Sequence, residues 1–314
     1  MERVLVRPIL TVTVNPTVDL AFEVDRLDPT GKTRAHTVGV GGGGGGINVA
    51  RVVRELGGDA LSIHTAGQDV GRRLCRLLDG EGMPHSAVDV ESETREAIVL
   101  FESGAQRSYH VVPAGPPMAE ETGDRLIAAI AERLHDHDHV VASGSVPVGI
   151  ADDFHARLAG AAKRSGCRFS LDSSGPAMEA ALEEGVYLVK PNRREAAQIA
   201  GHEVTTFDDA RDVNDLLLSR NAAQVVATTL GDVGALVSTS GSHFEVPTPD
   251  MPRPAISDAG AGDSFMGAMV LALAQGRDVH EAGQRGVAAA AAATMRAGTG
   301  LCERGDVEEL IATM

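Results

Sequence analysis

Lysine is nearly missing from this chain. Of 28 basic residues only Lys32, Lys163 and Lys190 are lysines, which leaves 25 arginines. Each lysine therefore invites a role that arginine cannot fill. Cysteine is scarce too. Cys75, Cys167 and Cys302 are too few and too scattered for a disulfide framework or a zinc knuckle, so a reducing, cytoplasmic setting is expected. Positive charge is in deficit, with 28 basic against 44 acidic residues and a net charge of −16. That balance argues against binding nucleic-acid backbones or anionic membranes. No stretch reaches the ~18 apolar residues of a membrane span, and the opening MERVLVRPILTVTVNPT lacks the apolar centre of a signal peptide. Tryptophan is absent, while glycine is abundant at 36 of 314 residues.

The pattern that remains is α/β. Ile9 to Val14 alternates apolar residues with threonine and reads as a strand ended by Asn15-Pro16. After Gly41 to Gly46, the residues Ile47, Ala50, Val53 and Leu56 recur at helical spacing until Gly57-Gly58. From residue 121 onward helices and strands alternate. The strands fall at His139 to Ser143, Arg168 to Asp172, Val186 to Val189 and Gln224 to Leu230. This order predicts right-handed crossovers and a parallel sheet covered on both faces. Segments near 20–40 and 94–113 break the rhythm. The second carries two strand-like runs around Ser103-Gly104, and both segments are expected to form a small antiparallel sheet projecting from the main one. The chain reads as one domain, 1–314.

Five motifs can carry chemistry. Gly260-Ala261-Gly262-Asp263-Ser264 opens a helix that is apolar nearly all round. Its free amides and dipole make an anion site, and Asp263 beside it, kept ionised by the helix end, suits a general base. A plain N-capping aspartate is the alternative. In Lys190-Pro191-Asn192-Arg193-Arg194-Glu195, Asn192 and Glu195 share the first turn of a helix. They can hold magnesium waters or form a capping box. Thr229-Leu230-Gly231-Asp232-Val233-Gly234 sits at a strand end, either lining a cleft or simply turning. The glycine tract with Asn48 can line a polar ligand or serve as a flexible linker, and its match to a dinucleotide fingerprint is trivial. Asp19, in Asn15-Pro16-Thr17-Val18-Asp19, can accept bonds from sugar hydroxyls or belong to a turn. His135, His137 and His139 alternate with Asp136 and Asp138, which reads as a solvated helix end rather than a metal site.

Taken in order, NPTVD, the glycine tract with INVAR, SGSVP at 143–147, KPNRRE, TLGDVG and GAGDS resemble the ribokinase, or PfkB, family of carbohydrate kinases over essentially the whole chain. The resemblance implies a ribokinase-like fold: a Rossmann-like three-layer α/β core with a mostly parallel sheet and a small projecting β-sheet lid. It implies phosphoryl transfer from ATP to a sugar hydroxyl, with Mg2+ and a monovalent cation, K+, as cofactors. Asp263 matches the family's base, and the amides of Gly260, Ala261 and Gly262 its anion hole. Lys190, Asn192, Glu195, Thr229, Gly231 and Gly234 match the nucleotide side, with Asn192 and Glu195 organising the magnesium through water. Asp19, Gly43, Gly44, Gly45, Gly46 and Asn48 match the sugar side.

The INVAR tract is similar to that of the phosphosugar branch. Many members carry lysine where Gly45 stands, whereas the minor bacterial 6-phosphofructokinases share an all-glycine version. D-fructose 6-phosphate is thus the expected acceptor, with fructose 1-phosphate, tagatose 6-phosphate or another sugar as alternatives. Arg95, Lys32, Arg34, Ser143 and Ser145 are candidates for holding it, and the group pairs as a homodimer through the lid. There are departures. Asp258 and Ala259 replace the commoner Thr and Val near the K+ site, which also involves Ala293 to Gly298. His110 replaces an arginine, and Gly41 and Gly42 are extra. Two rivals lie outside this class. One is a dinucleotide-dependent oxidoreductase using Asp59 or Asp69 for the ribose; the other is a silent sugar-binding protein.

Overall fold

A computed structural model of the chain describes residues 6–296, 298 and 300–314. The opening stretch read for a leader lies partly outside the described residues. In chain order the strands are β1 (Ile9–Thr13), β2 (Thr17–Val24), β3 (His36–Gly43), β4 (Ala60–Gly67), β5 (His85–Val90), β6 (Arg95–Glu102), β7 (Arg107–Val111), β8 (His139–Ser143), β9 (Arg168–Asp172), β10 (Val186–Val189), β11 (Ala223–Thr229), β12 (Gly234–Thr239) and β13 (Ser242–Pro247). The larger sheet runs β13-β12-β11-β10-β9-β8-β1-β4-β5, and the smaller β3-β2-β6-β7.

All five residues of β1 and all five of β8 are buried. Strands buried on both faces are what a parallel sheet between two helix layers requires. From β5 across to β11 every pairing is parallel. The alternation of strand and helix stops at one edge, where β12 and β13 return antiparallel. Only Leu230 and the short 3-10 turn Gly231–Val233 separate β11 from β12, and so short a link joins only antiparallel neighbours.

One layer packs Leu126, Ile130, Phe154, Leu158 and Val213 onto the sheet. The other contains the helices Gly45–Glu55, Gln68–Gly80, Ala261–Ala274 and Val279–Thr294. Helix Ala261–Ala274 is buried without a break from Ser264 to Leu273, which explains its lack of a polar face. Its neighbours come close: a Cβ on Gly267 would lie 2.7 Å from Val52 Cγ1. The alanine run 288–293 sits in helix Val279–Thr294, small side chains permitting the same tight approach.

In the smaller sheet β2–β3 and β6–β7 are antiparallel hairpins, but the seam β2–β6 between them is parallel. Both hairpins leave the large sheet from the same end, so their outgoing strands run side by side. The glycine tract is regular here. Gly41, Gly42 and Gly43 pair with Asp19, Val18 and Thr17 in β3, so the tract is strand rather than flexible linker. One row across all four strands holds Val40, Leu20, Ile98 and Val111. Ile98 is 40% and Val111 59% exposed, which leaves an apolar face on this sheet.

Candidate active site

The candidate residues gather where parallel strands end, the place where open α/β sheets bind ligands. Ser143 closes β8, Asp172 closes β9, Lys190 follows β10 and Thr229 closes β11. Helices Gly45–Glu55 and Ala261–Ala274 point their N-termini at the same spot.

Asp263 stands in the first turn of helix Ala261–Ala274, behind Gly260, whose φ of 75° puts it in the left-handed region that glycine tolerates. Its Oδ2 accepts from Asn48 Nδ2 at 2.8 Å, and its Oδ1 from Ser143 Oγ at 3.4 Å. Arg51 Nη1 donates to Asn48 Oδ1 at 3.0 Å, and Glu81 holds Arg51 from the far side at 2.7 Å. A guanidinium only donates, so it fixes the Asn48 amide with its NH2 toward Asp263. Burial and the charge of Asp172 push the Asp263 carboxyl up to about 6, while Asn48 and Lys190 pull it back. The helix end therefore does not govern this carboxylate, as the sequence suggested; desolvation does. Of the three candidate amides, Ala261 N–H is turned onto Asp258 O at 3.3 Å. The amides of Gly260 and Gly262 have no protein acceptor among the described residues.

Lys190 is buried and pairs with Asp172 Oδ1 at 3.1 Å. Its Nζ lies beside Gly262, within 3.4 Å of where a Cβ would stand. Burial works against its charge, but Asp172, Glu195 and Asp263 outweigh it and raise the ammonium above its ordinary value. Sequence reasoning missed Asp172. The available signal was an acid ending a buried apolar strand, Phe169 to Asp172.

Asn192 and Glu195 form the capping box. Asn192 Oδ1 accepts from the Arg194 and Glu195 amides at 2.9 and 3.0 Å, and Glu195 Oε2 accepts from Asn192 N–H at 2.9 Å. The cap uses one oxygen of each, so Glu195 Oε1 takes no protein hydrogen bond among the described residues, and burial raises the Glu195 carboxyl. Asn192 bridges to Thr229, bringing the second and third motifs together. Gly231 lies exposed over the Arg193 guanidinium, which pairs with Asp232 at 2.9 Å. Gly234 is buried in the hairpin. A Cβ there would lie 2.8 Å from Pro247 Cα, so packing against β13 accounts for this glycine and no ligand is needed.

On the opposite wall Asp19 lies against Gly43, where a Cβ would come within 2.7 Å of its Cγ. Burial raises its carboxyl, opposed by Thr17, Arg51, Arg95 and His110. Gly44 adopts φ 117° with Thr13 Cγ2 only 2.6 Å from a would-be Cβ. A side chain on Gly45 would collide with Ser143, its Cβ 2.8 Å from the Ser143 carbonyl carbon, and one on Gly46 with Thr13 Oγ1 at 2.6 Å. Thr13 Oγ1 instead accepts the Ile47 amide at 2.9 Å and anchors the helix start, a role the sequence did not reveal. A lysine at Gly45 has no room in this backbone.

Other candidates are placed differently. Arg95 donates to Pro113 O at 2.7 Å and Asn15 O at 2.9 Å, so its guanidinium clamps two backbone segments beside Asp19. Burial lowers its pKa, and Asp19 opposes that shift. Ser145 Oγ accepts from Asn15 Nδ2 at 3.0 Å. Lys32 and Arg34 are exposed between β2 and β3. At ~3.3 Å per residue the end of β2 that leads to them lies about 16 Å beyond Asp19. His137 Nδ1 meets Pro8 O at 2.7 Å, His139 packs edge-on to Tyr187, and His135 pairs with Asp136. Near the expected K+ position Ile256 N–H donates to Thr294 O at 2.7 Å and Ser257 Oγ to Gly298 O at 3.2 Å; residue 297 lies outside the described residues. Asp59 and Asp69, raised for a nicotinamide dinucleotide, do not end a strand: Asp59 precedes β4 and Asp69 is in helix Gln68–Gly80.

The sequence profile of the pfkB family carbohydrate kinases matches residues 12–304. The chain is 36% identical over 305 residues to ATP-dependent 6-phosphofructokinase isozyme 2 of Escherichia coli K12, covering 97% of this chain and 98% of that one. The enzyme of the same name from Mycobacterium tuberculosis is 34% identical over 300 residues, covering 96% and 88%. The crystal structure of phosphofructokinase-2 from Escherichia coli in complex with potassium superimposes with a TM-score of 0.91 at 35% identity, covering 98% of both chains. An inhibited form of that protein is tetrameric.

Proposed function

Because the chain belongs to the pfkB family of carbohydrate kinases, we propose that it is an ATP-dependent 6-phosphofructokinase, converting D-fructose 6-phosphate to fructose 1,6-bisphosphate. The observation that carries the reading is Asp263, held by Asn48 at the mouth of a glycine-opened helix. The sugar hydroxyl gives its proton to the Asp263 carboxylate as its oxygen attacks the γ-phosphorus. The bond from that phosphorus to the β–γ bridging oxygen breaks, and ADP leaves with the electron pair. The amides of Gly260 and Gly262, without an acceptor among the described residues, hold the transferring phosphoryl oxygens. Lys190, neutralised in part by Asp172, adds fixed positive charge beside them. Asp19 and the bare backbone of Gly43 to Gly46 orient the sugar, so much of the rate comes from positioning.

The oxygen left at Glu195 Oε1 suits one water of a hydrated divalent cation, Mg2+, which supplies charge neutralisation on the phosphates when bound, while Asn192, its one side-chain oxygen taken by the cap, holds the turn that presents Glu195. At the expected K+ position the Gly298 carbonyl, which accepts the Ser257 hydroxyl, keeps a lone pair of the kind K+ takes, whereas Thr294 O is already taken by the Ile256 and Ser257 amides. A panel of ADP-release assays tests the reading. Fructose 6-phosphate should give the highest kcat/KM, ahead of fructose 1-phosphate, tagatose 6-phosphate and ribose; a clear preference for any of the others overturns it.

A pH profile follows from Asp263. Only the ionised carboxylate accepts the proton, so activity is lost as pH falls through its raised value. We expect kcat/KM to be level above pH ~7 and to fall about tenfold per pH unit below about 6.

Two copies joining through the apolar row Val40, Leu20, Ile98 and Val111 would bury that face and let Lys32 and Arg34 of one copy reach the other's sugar phosphate. Replacing Ile98 by Glu should convert the assembly to a smaller species by light scattering and raise KM for the phosphosugar. Unchanged mass would remove the lid from the interface. No described helix is long and apolar enough to cross a membrane, and a cytoplasmic setting fits this substrate.

A further inference from the structure

Among side chains not assigned to the catalytic cleft, His64 on β4, His85 on β5 and Cys75 on helix Gln68–Gly80 bring one ligand atom each to within 4.8 Å of one another. The two rings are stacked with centroids 5.1 Å apart, and His64 Nε2 faces His85 Nδ1 at 3.0 Å. The outer nitrogens settle the tautomers. His64 Nδ1 lies 2.8 Å from Thr65 O, and a carbonyl only accepts, so Nδ1 carries the proton and Nε2 a lone pair. His85 Nε2 lies 3.2 Å from Asp79 Oδ1, an acceptor as well, which leaves His85 Nδ1 as the second lone pair. Two lone pairs pointed at each other need a positive species between them. A shared proton would satisfy the pair but has no use for a third donor. Cys75 supplies one.

We infer that His64, His85 and Cys75 form a zinc-binding site, closed by a water in the fourth position. Two imidazoles and a thiolate are the donor set this borderline-soft ion takes in open tetrahedral sites. Bonds of about 2.05 Å to nitrogen and 2.3 Å to sulfur give ligand separations of about 3.3 to 3.6 Å. The nitrogens already stand near that spacing, and the sulfur of the half-buried Cys75 lies within 4.8 Å of both. Each histidine also has the outer-shell oxygen that orients metal-bound imidazoles, Thr65 O for His64 and Asp79 for His85. Ser62, the register partner of His85 on the same sheet face, has a buried hydroxyl without a partner among the described residues, suited to hold the bound water. His64 is fully buried, whereas His85 keeps 10% of its side chain exposed and opens the path from solvent. The site ties helix Gln68–Gly80 to the edge of the large sheet. Leu74 of that helix also supports the glycine strand, lying within 2.6 Å of where a Gly42 Cβ would stand.

The test uses the full chain stripped of metal with a chelator. Titration with Co2+ should give tetrahedral d–d bands and a thiolate charge-transfer band at one equivalent, and Zn2+ should displace both. Cys75→Ser should abolish the thiolate band while kinase turnover stays within about twofold, showing that the fold is intact. His85→Gln should weaken Zn2+ binding at least tenfold, and Asp79→Asn about tenfold through the outer shell. Zn2+ should raise the melting temperature of the parent protein but not of Cys75→Ser. Absence of a thiolate band, or equal Zn2+ affinity in the parent and Cys75→Ser, overturns the inference. The first would mean that the histidines share a proton or that metal sits only on catalytic carboxylates; the second, that the sulfur is not a ligand.

Discussion

Asp263→Asn is expected to leave ATP affinity within a few-fold of the parent and to lower kcat by about 10² to 10⁴, the range general-base assistance contributes. The substitution is nearly isosteric. It keeps an acceptor oxygen, which Asn48 Nδ2 can still reach at the observed 2.8 Å, but it cannot take a proton from a sugar hydroxyl. Equilibrium binding of the nucleotide together with steady-state kinetics separates the effects. Equal turnover in the variant would reduce Asp263 to a hydrogen-bond partner of Asn48 and Ser143 and remove the proposed base; it is not a helix cap, since Gly260 holds that position and no side chain caps the helix. The acid limb of the pH profile gives an independent check, because it must vanish in a variant that lacks the ionising group. Asn48→Ala should act more mildly and through position. Its loss frees the carboxylate to rotate and removes a hydrogen bond that holds its pKa down, so the acid limb moves to higher pH in that variant.

Legibility in the sequence followed how local the determining physics is. The strands His139–Ser143, Arg168–Asp172 and Val186–Val189 were readable because short apolar runs bounded by polar residues suffice to mark them. The buried helix after Gly260 was readable because it has no polar face. Asp263 and the Asn192–Glu195 cap could be named because each motif is contiguous. What stayed hidden depends on which strands are neighbours. Asp172 and Lys190 meet only because β9 lies beside β10. Arg51 orients Asn48 only because Glu81, thirty residues on, returns to hold it. Arg95 was legible as a candidate cation for the phosphosugar but not as a clamp beside Asp19, since its carbonyl partners at Asn15 and Pro113 are long-range. His64, Cys75 and His85 come together by the same means, two adjacent strands and the helix that covers them.

The buried pair at the centre of the site leads to a second large effect. Lys190→Met is expected to cost about 3 to 5 kcal/mol of stability, because it leaves Asp172 and Asp263 facing each other without the cation between them. At roughly 2 to 4 °C per kcal/mol for a chain of this class, melting should fall by about 10 °C. The remaining activity should show its acid limb at higher pH, since Lys190 pulls the Asp263 carboxyl down and Asp172 pushes it up. A second substitution separates charge balance from function. In Asp172→Asn with Lys190→Met the stranded carboxylate is gone, so much of the stability should return while turnover stays low, the phosphoryl oxygens having lost their fixed positive charge. If the double variant recovered turnover as well as stability, Lys190 would be a structural counter-ion only. If Lys190→Met alone melted like the parent, Asp172 would be reaching water or another donor, and the electrostatic account of the raised Asp263 carboxyl would need a different source.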